Sequence, residues 1–197
     1  MKTRIGIFGG TFNPPHIGHI KSAERFAYQM QLDKLIIMPS FIPPHKVYDT
    51  NVSCDDRFEM CKLAFADIAI AEVSDLEIQR GGMSYTYLTL EEMSSENTDL
   101  FFLCGTDMIL SMDTWRNPER IFELCSVCYA RRESEPEIEA VISQKCEEYR
   151  EKYGAKIHKI DLDTIDISSS EIRNNMTNNI YLTPAVREYI AKRGLYR

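Results

Sequence analysis

No apolar run in the chain approaches the length of a bilayer span, and Met1-Lys2-Thr3-Arg4 leads only into a short apolar stretch and then glycines. No membrane association and no secretory leader are therefore expected, and a cytoplasmic location follows. Basic excess is also missing. Lys and Arg number 23 against 30 Asp and Glu, for a formal net charge of −7, with no basic run. Nucleic-acid backbones are bound by Lys and Arg that displace counterions, so DNA or RNA is not expected as a partner. The cysteines at 54, 61, 104, 125, 128 and 146 lack the spacing of a metal site or a disulfide framework. Cys125-Ser126-Val127-Cys128 is the one close pair. It sits in an apolar run with no second ligand pair, which reads as structural thiols in a buried strand of a protein kept reduced. No protein-held metal site is expected. Repeats, low-complexity tracts and linkers are absent, and so is any Ser-His-Asp or paired-carboxylate arrangement. A homo-oligomer is compatible with the sequence but not demanded by it.

What is present is an alternation of short apolar runs and helix-period segments across 197 residues, enough for one full core. Strands are expected at Arg4–Phe8, Lys34–Met38, Ile68–Val73, Leu100–Cys104, Ser126–Ala130 and Lys156–Ile160. Helices are expected at about Gly18–Met30, Asp55–Ala66, Tyr85–Glu96, Pro118–Leu124 and Pro136–Tyr153. Apolar strands separated by helices indicate a parallel sheet covered on both faces. The expected fold class is α/β, a single doubly wound, Rossmann-like parallel sheet with a small C-terminal helical segment. The expected organisation is one domain over residues 1–197, with about 161–197 as the helical part. There, Ser168 stands three residues before Glu171, a capping-box spacing. Thr183, Pro184 and Gly194 mark the start and end of a last helix.

Ligands of open α/β sheets bind beyond the carboxyl ends of the strands, so the strand-to-helix loops are where chemistry is sought. The first, "GGTFNPPHIGH" (Gly9–His19), crowds two glycines, two prolines and two histidines between strand and helix. Gly9 and Gly10 would let a ligand approach the backbone. The helix expected from near Ile17 would offer its free N–H groups to an anion. His16 and His19, three apart, can face one side, and Gly18 leaves room beside them. This constellation suits a polyphosphate. His45 lies in a second Pro-rich loop, "PSFIPPHK", and is a weaker candidate by the same logic. Far downstream, "ISSSEIR" (Ile167–Arg173) sets Ser168, Ser169 and Ser170 at a helix start with Arg173 beside them. Hydroxyls and a guanidinium fork there would suit β- and γ-phosphates, although the serines alone read equally well as a cap.

"HIGH" by itself is the signature of class I aminoacyl-tRNA synthetases. The longer stretch resembles the GGTFxPxHxGH signature of the nucleotidyltransferase superfamily, and "ISSSEIR" resembles the ISSTxIR motif of its adenylyltransferase branch. The KMSKS loop of the synthetases is missing. "MPSFIPPHK", "DRFEMCKLA", "SYTYLTLEEM", "FFLCGTDMILSMDTWRNPERI" and "LTPAVREYIAKRGLY" are similar, in order, to segments of bacterial nicotinate-mononucleotide adenylyltransferases. The chain differs from that pattern in Ser170 for Thr, in Ser40 for Asn and in "ARRES" without the usual Pro-Gly.

The resemblance implies adenylyl transfer from ATP to nicotinate mononucleotide, a step of NAD biosynthesis, with Mg²⁺ carried on the ATP phosphates. It implies that Gly9, Thr11, Phe12, His16, His19, Gly105, Asp107, Ser168, Ser169 and Arg173 surround ATP. Lys46, Ser84, Tyr85, Thr86, Trp115 and Arg132 would surround the mononucleotide, and His16, His19, Lys46 and Arg173 would be catalytic. Trp115, the only tryptophan, can stack on a pyridine ring or fill the core. Transfer to another phosphate acceptor, nucleotide binding without catalysis, and a tRNA-binding fragment are the rival readings.

Overall fold

The computed structural model describes residues 2–44, 52–130, 136–162, 167–176 and 180–197. Six strands form one all-parallel sheet: β1 (Thr3–Gly10), β2 (Lys34–Pro39), β3 (Ala71–Val73), β4 (Thr98–Gly105), β5 (Cys125–Ala130) and β6 (Ile157–Ile160), in the order β3-β2-β1-β4-β5-β6. The chain builds outward from β1 to β3, then crosses back to lay β4 against the other side of β1. That reversal opens a crevice beyond the carboxyl ends of β1 and β4, the doubly wound arrangement expected.

Neighbouring residues within each strand point to opposite faces, and both faces are covered. Phe8, Ile37, Phe101 and Leu103 join one core, with Ala23, Phe26, Met60, Ile172, Val186 and Ile190. Ile7, Ile36, Leu100 and Phe102 join the other, with Leu90, Ile109, Val127 and Ile142. The first core therefore includes residues from both ends of the chain. Each such side chain contributes on the order of 1.5–3 kcal/mol when withdrawn from water.

Nine α-helices are described: α1 (Ile17–Gln29), α2 (Cys54–Ala64), α3 (Leu76–Arg80), α4 (Thr86–Met93), α5 (Thr106–Ser111), α6 (Pro118–Leu124), α7 (Pro136–Tyr153), α8 (Ser169–Asn174) and α9 (Pro184–Arg193). In α1 the buried positions Ser22, Ala23, Phe26 and Ala27 recur at helical spacing, so one face meets the sheet. Gly6 of β1 makes that approach possible. A Cβ there would stand 2.3 Å from Leu32 Cδ1 and 2.8 Å from Phe26 Cε1.

The last helix starts and ends as its sequence indicates. Thr183 Oγ1 accepts the Val186 N–H at 3.3 Å, Pro184 follows, and Gly194 closes it at φ 65°. The structure differs from expectation in three elements. β3 has three residues instead of six, and α3 and α5, at five and six residues, were not anticipated. Helices of that length complete too few turns to show a 3.6-residue apolar period. Cys125 and Cys128 are buried in β5, and burial pushes the Cys128 thiol up to about 12. Both are inert core groups.

Candidate active site

β1 ends in Gly9 and Gly10 inside the sheet, and Thr11 follows at the crevice. There a cleft of about 330 Å³ opens, floored by Ile7, Met38, Leu90 and Phe102. Eight of the residues given a ligand role from the sequence line it: Gly9, Gly10, Thr11, Ser84, Tyr85, Thr86, Asp107 and Trp115. Trp115 is half-buried at the edge of the core. Its indole packs edge-on against Phe102 (centroids 6.2 Å apart, planes at 78°) while also facing the cleft. Gly105 is the last residue of β4. A Cβ there would come within 2.9 Å of Asp107 Oδ1, so the Asp107 carboxylate folds back over it.

The two histidines are not among the residues lining this cleft and stand together at the start of α1. His16 is the N-cap of α1, and the His16 and His19 rings are 3.7 Å apart, tilted by 35°. His19 Nδ1 accepts the backbone N–H of His16 at 3.2 Å, so the neutral ring carries its proton on Nε2. Gly18 does not hold space for a ligand. The His16 ring and Ile167 occupy it, with His16 atoms at 3.1 Å from a Cβ placed there. Phe12 also departs from its expected place. With φ 50° the turn swings its ring into the core, 2 % exposed, against Phe8, Phe65 and His19. The ring backs the His19 imidazole, with centroids 5.1 Å apart.

The second motif docks onto this loop. Ser168 forms the capping box its spacing announces: its Oγ accepts the Glu171 N–H at 3.2 Å, and Glu171 Oε2 accepts the Ser168 N–H at 2.7 Å. The Ser168 hydroxyl also donates to Glu171 Oε2 at 2.6 Å, and this bond, ahead of the one from the Ser168 N–H, lowers the Glu171 carboxyl from its ordinary value. Ser169 Oγ donates to the Pro14 carbonyl at 2.9 Å, and Arg173 Nη1 donates to the Asn13 carbonyl at 2.7 Å. Tyr196 adds a further tie, its hydroxyl donating to Asn13 Oδ1 at 2.5 Å. The structure thus gathers His16, His19, Ser169 and Arg173 around one loop. Lys46, Arg132 and His45 lie outside the described residues.

The sequence did not point to Glu77 or Arg57, and it marked Ser40, which lines the cleft, only as standing where Asn is usual. Glu77, from α3, lines the cleft yet is buried, and Thr89 Oγ1 donates to its Oε1 at 2.6 Å. Burial raises its carboxyl pKa against the opposing hydrogen bonds from Thr89 and Ser84 and the charge of Arg80. Ser84 Oγ in turn accepts the Phe41 N–H at 2.9 Å. No apolar period marks the short α3, so this network left no signal in the sequence.

A sheet of this order, with a histidine loop locked to a Ser/Arg helix over its crevice, defines a nucleotide-binding transferase scaffold. Residues 7–175 match the family model described as Cytidylyltransferase-like. A protein of Clostridium novyi named "Probable nicotinate-nucleotide adenylyltransferase" is 37% identical over 198 residues, covering 98% of each chain. Proteins of the same name from Desulfitobacterium hafniense and Listeria monocytogenes are 40% and 35% identical, covering 98% and 100% of this chain and 96% and 98% of theirs. Among solved structures, the fold is similar to Plasmodium falciparum nicotinic acid mononucleotide adenylyltransferase complexed with NaAD. The TM-score is 0.75 at 20% identity, with 98% of this chain and 97% of that one covered. The chain belongs to the cytidylyltransferase-like family and, within it, to the nicotinate-nucleotide adenylyltransferases.

Proposed function

We propose that the chain transfers the adenylyl group of ATP to nicotinate mononucleotide, releasing pyrophosphate and forming nicotinate adenine dinucleotide, a step of NAD biosynthesis. The observation that carries this reading is the meeting of two motifs more than 150 residues apart. Ser169 and Arg173 bond the Pro14 and Asn13 carbonyls, beside the paired imidazoles that open α1. The full-length relatives supply the acceptor by their names. In this reading residues 1–197 work as one nucleotidyltransferase domain, with about 161–197 bringing the second motif.

The 5′-phosphate of the acceptor is already ionised near neutral pH, so it attacks the α-phosphorus of ATP without a general base. Catalysis is then positioning plus charge stabilisation. His16, His19, Lys46 and Arg173 meet the charge on the reacting and departing phosphates, together with the N-terminus of α1. No acidic residue lies in its first turn to oppose an anion.

Gly9, Thr11, Gly105, Ser168, Ser169 and the backbone of Phe12 surround ATP, and Asp107 accepts from ribose or adenine. A divalent cation accompanies ATP in this family. We read it as Mg²⁺ carried on phosphate oxygens, with Asp107 as the carboxylate it would meet. Ser84, Tyr85, Trp115 and Arg132 enclose the mononucleotide. Backbone N–H groups near Thr86 and Trp115 hold its carboxylate, which an amide cannot replace as acceptor.

A coupled assay for pyrophosphate tests this, offering ATP with nicotinate mononucleotide, nicotinamide mononucleotide or phosphopantetheine in parallel. Release is expected with the first and weaker release with the second. Release only with phosphopantetheine, or none with any acceptor, overturns the proposal.

A further inference from the structure

The buried cation beneath the cleft belongs to neither motif. Arg57, on α2, has 0 % of its surface exposed. Its guanidinium ends under the two loops that leave β1 and β2. Nη1 donates to the Thr11 carbonyl at 2.8 Å, and Nη2 donates to the Ser40 carbonyl at 2.6 Å and the Phe41 carbonyl at 3.1 Å. The β1–β2 ladder runs out just before this point, with Gly10 opposite Pro39 and one last bond from the Ser40 N–H to the Gly10 carbonyl. Beyond it the loops turn carbonyls toward each other, and two acceptors cannot pair. A donor with two arms is needed to bridge them.

Packing alone does not explain the choice of residue. An apolar side chain of similar length would fill the space without the desolvation cost of a charge. A lysine carries its donors on one nitrogen and cannot span two loops as a planar fork does. The bridged segment is also gripped from its far side: Ser84 Oγ accepts the Phe41 N–H at 2.9 Å, and the Ser84 N–H donates to the Ile42 carbonyl at 2.9 Å. Thr11, Ser40 and Ser84 all line the cleft. Meanwhile α2 itself is anchored from outside, where Asp56 takes hydrogen bonds from Tyr189 at 2.8 Å and Arg193 at 3.0 Å.

We propose that Arg57 is a positioning residue of the transfer site, whose fork sets the spacing between the Thr11 loop and the Ser40–Phe41 loop. It rests on the adenylyl-transfer reading only for the identity of the two substrates. One loop leads to the triphosphate and the other to the acceptor, so an error in their spacing degrades both halves of the reaction together.

The test compares Arg57→Lys, Arg57→Gln and, as a control, Arg193→Ala in the full chain. It measures melting temperature, kcat, KM for ATP and for nicotinate mononucleotide, and ATP affinity by calorimetry without acceptor. Both Arg57 variants are expected to fold, to raise both KM values together and to lose roughly 10- to 100-fold in kcat. Arg193→Ala unties α2 from α9 without touching the loops. It is expected to lower the melting temperature by about 1–4 °C while leaving the kinetic constants within about twofold.

Kinetic constants within about twofold of wild type in both Arg57 variants overturn the proposal. So does recovery of full kcat on cooling, or failure of both variants to fold, since either makes Arg57 an element of stability alone. A wild type that binds ATP but leaves nicotinate mononucleotide unreacted refutes the activity instead. The loss of ATP affinity in the Arg57 variants then still reads the positioning.

Discussion

His19 reaches back to the residue that caps its own helix: its Nδ1 accepts the His16 backbone N–H at 3.2 Å, and the two rings lie 3.7 Å apart. The bond fixes the tautomer of the neutral ring. Nε2 carries the proton, so His19 presents a donor to an anion and not a base.

Replacing His19 with Ala removes that donor. Turnover is expected to fall by roughly 10²–10³-fold, the usual cost of losing one preorganised donor at a developing charge. The fold is expected to persist, since Phe8, Phe12 and Phe65 pack together without the imidazole. Steady-state pyrophosphate release, with circular dichroism as the control, checks both halves. Near-normal turnover in a folded variant would sink the role given to His19.

Tyr196 holds the same loop from the far end of the sequence. Burial keeps its hydroxyl protonated well above the usual phenol range, so it remains a donor to Asn13 Oδ1 at any working pH. Tyr196→Phe leaves a buried acceptor unpaired, at a cost of about 1–2 kcal/mol. For a chain of this length the melting temperature should fall by roughly 2–8 °C. A thermal scan showing no shift would mean that the bond contributes nothing.

Gly6→Ala tests how closely α1 approaches the sheet. The new methyl would collide with Leu32 and Phe26, both in the core. Overpacking of this kind costs about 1–3 kcal/mol. Urea unfolding should show a lower midpoint at an unchanged m-value, and a midpoint equal to that of wild type would contradict the packing described.

Asp56 links stability to pH. Burial alone would raise its carboxyl. Hydrogen bonds from Ser53, Tyr189 and Arg193, with the charge of Arg193, outweigh burial and lower it. A depressed carboxyl contributes stability above its unfolded value, about 3.9. That contribution disappears as pH falls through the lowered folded value. The difference in unfolding free energy between wild type and Asp56→Asn should therefore be constant from about pH 5 to 7 and shrink below about 4. Urea titrations over a pH series measure it, and a pH-independent difference would rule the linkage out.

Much of this structure was legible in advance where a repeating physical signal exists. α6 and α7 begin and end at the expected residues: Pro118 and Pro136 open them, and Ile142, Cys146 and Tyr149 recur at helical spacing along α7. β1, β2, β4 and β5 announce themselves as unbroken apolar runs because both of their faces are covered. The short α3 and α5 carry no such signal.

At the site, the pairing of His16 with His19 followed from their spacing, and the docking of Ser169 and Arg173 onto that loop completes the arrangement. The inward turn of Phe12 and the filling of the space over Gly18 depend on backbone torsion and on which ring arrives there, neither of which a motif encodes. Arg57 escaped notice because its partners are carbonyl oxygens. Every residue owns one, so no side-chain pattern betrays them.

The loop at Gly9–His19 forms early in the sequence, yet apart from the Arg57 fork on the Thr11 carbonyl its ties come from Ser169, Arg173, Tyr181 and Tyr196. During synthesis from the amino end, all six strands can pair once Ile160 has emerged, while the loop beside them still lacks every one of those anchors. A nascent chain that already holds the complete sheet therefore still carries this loop without the contacts from α8 and Tyr196 that fix it in the folded protein.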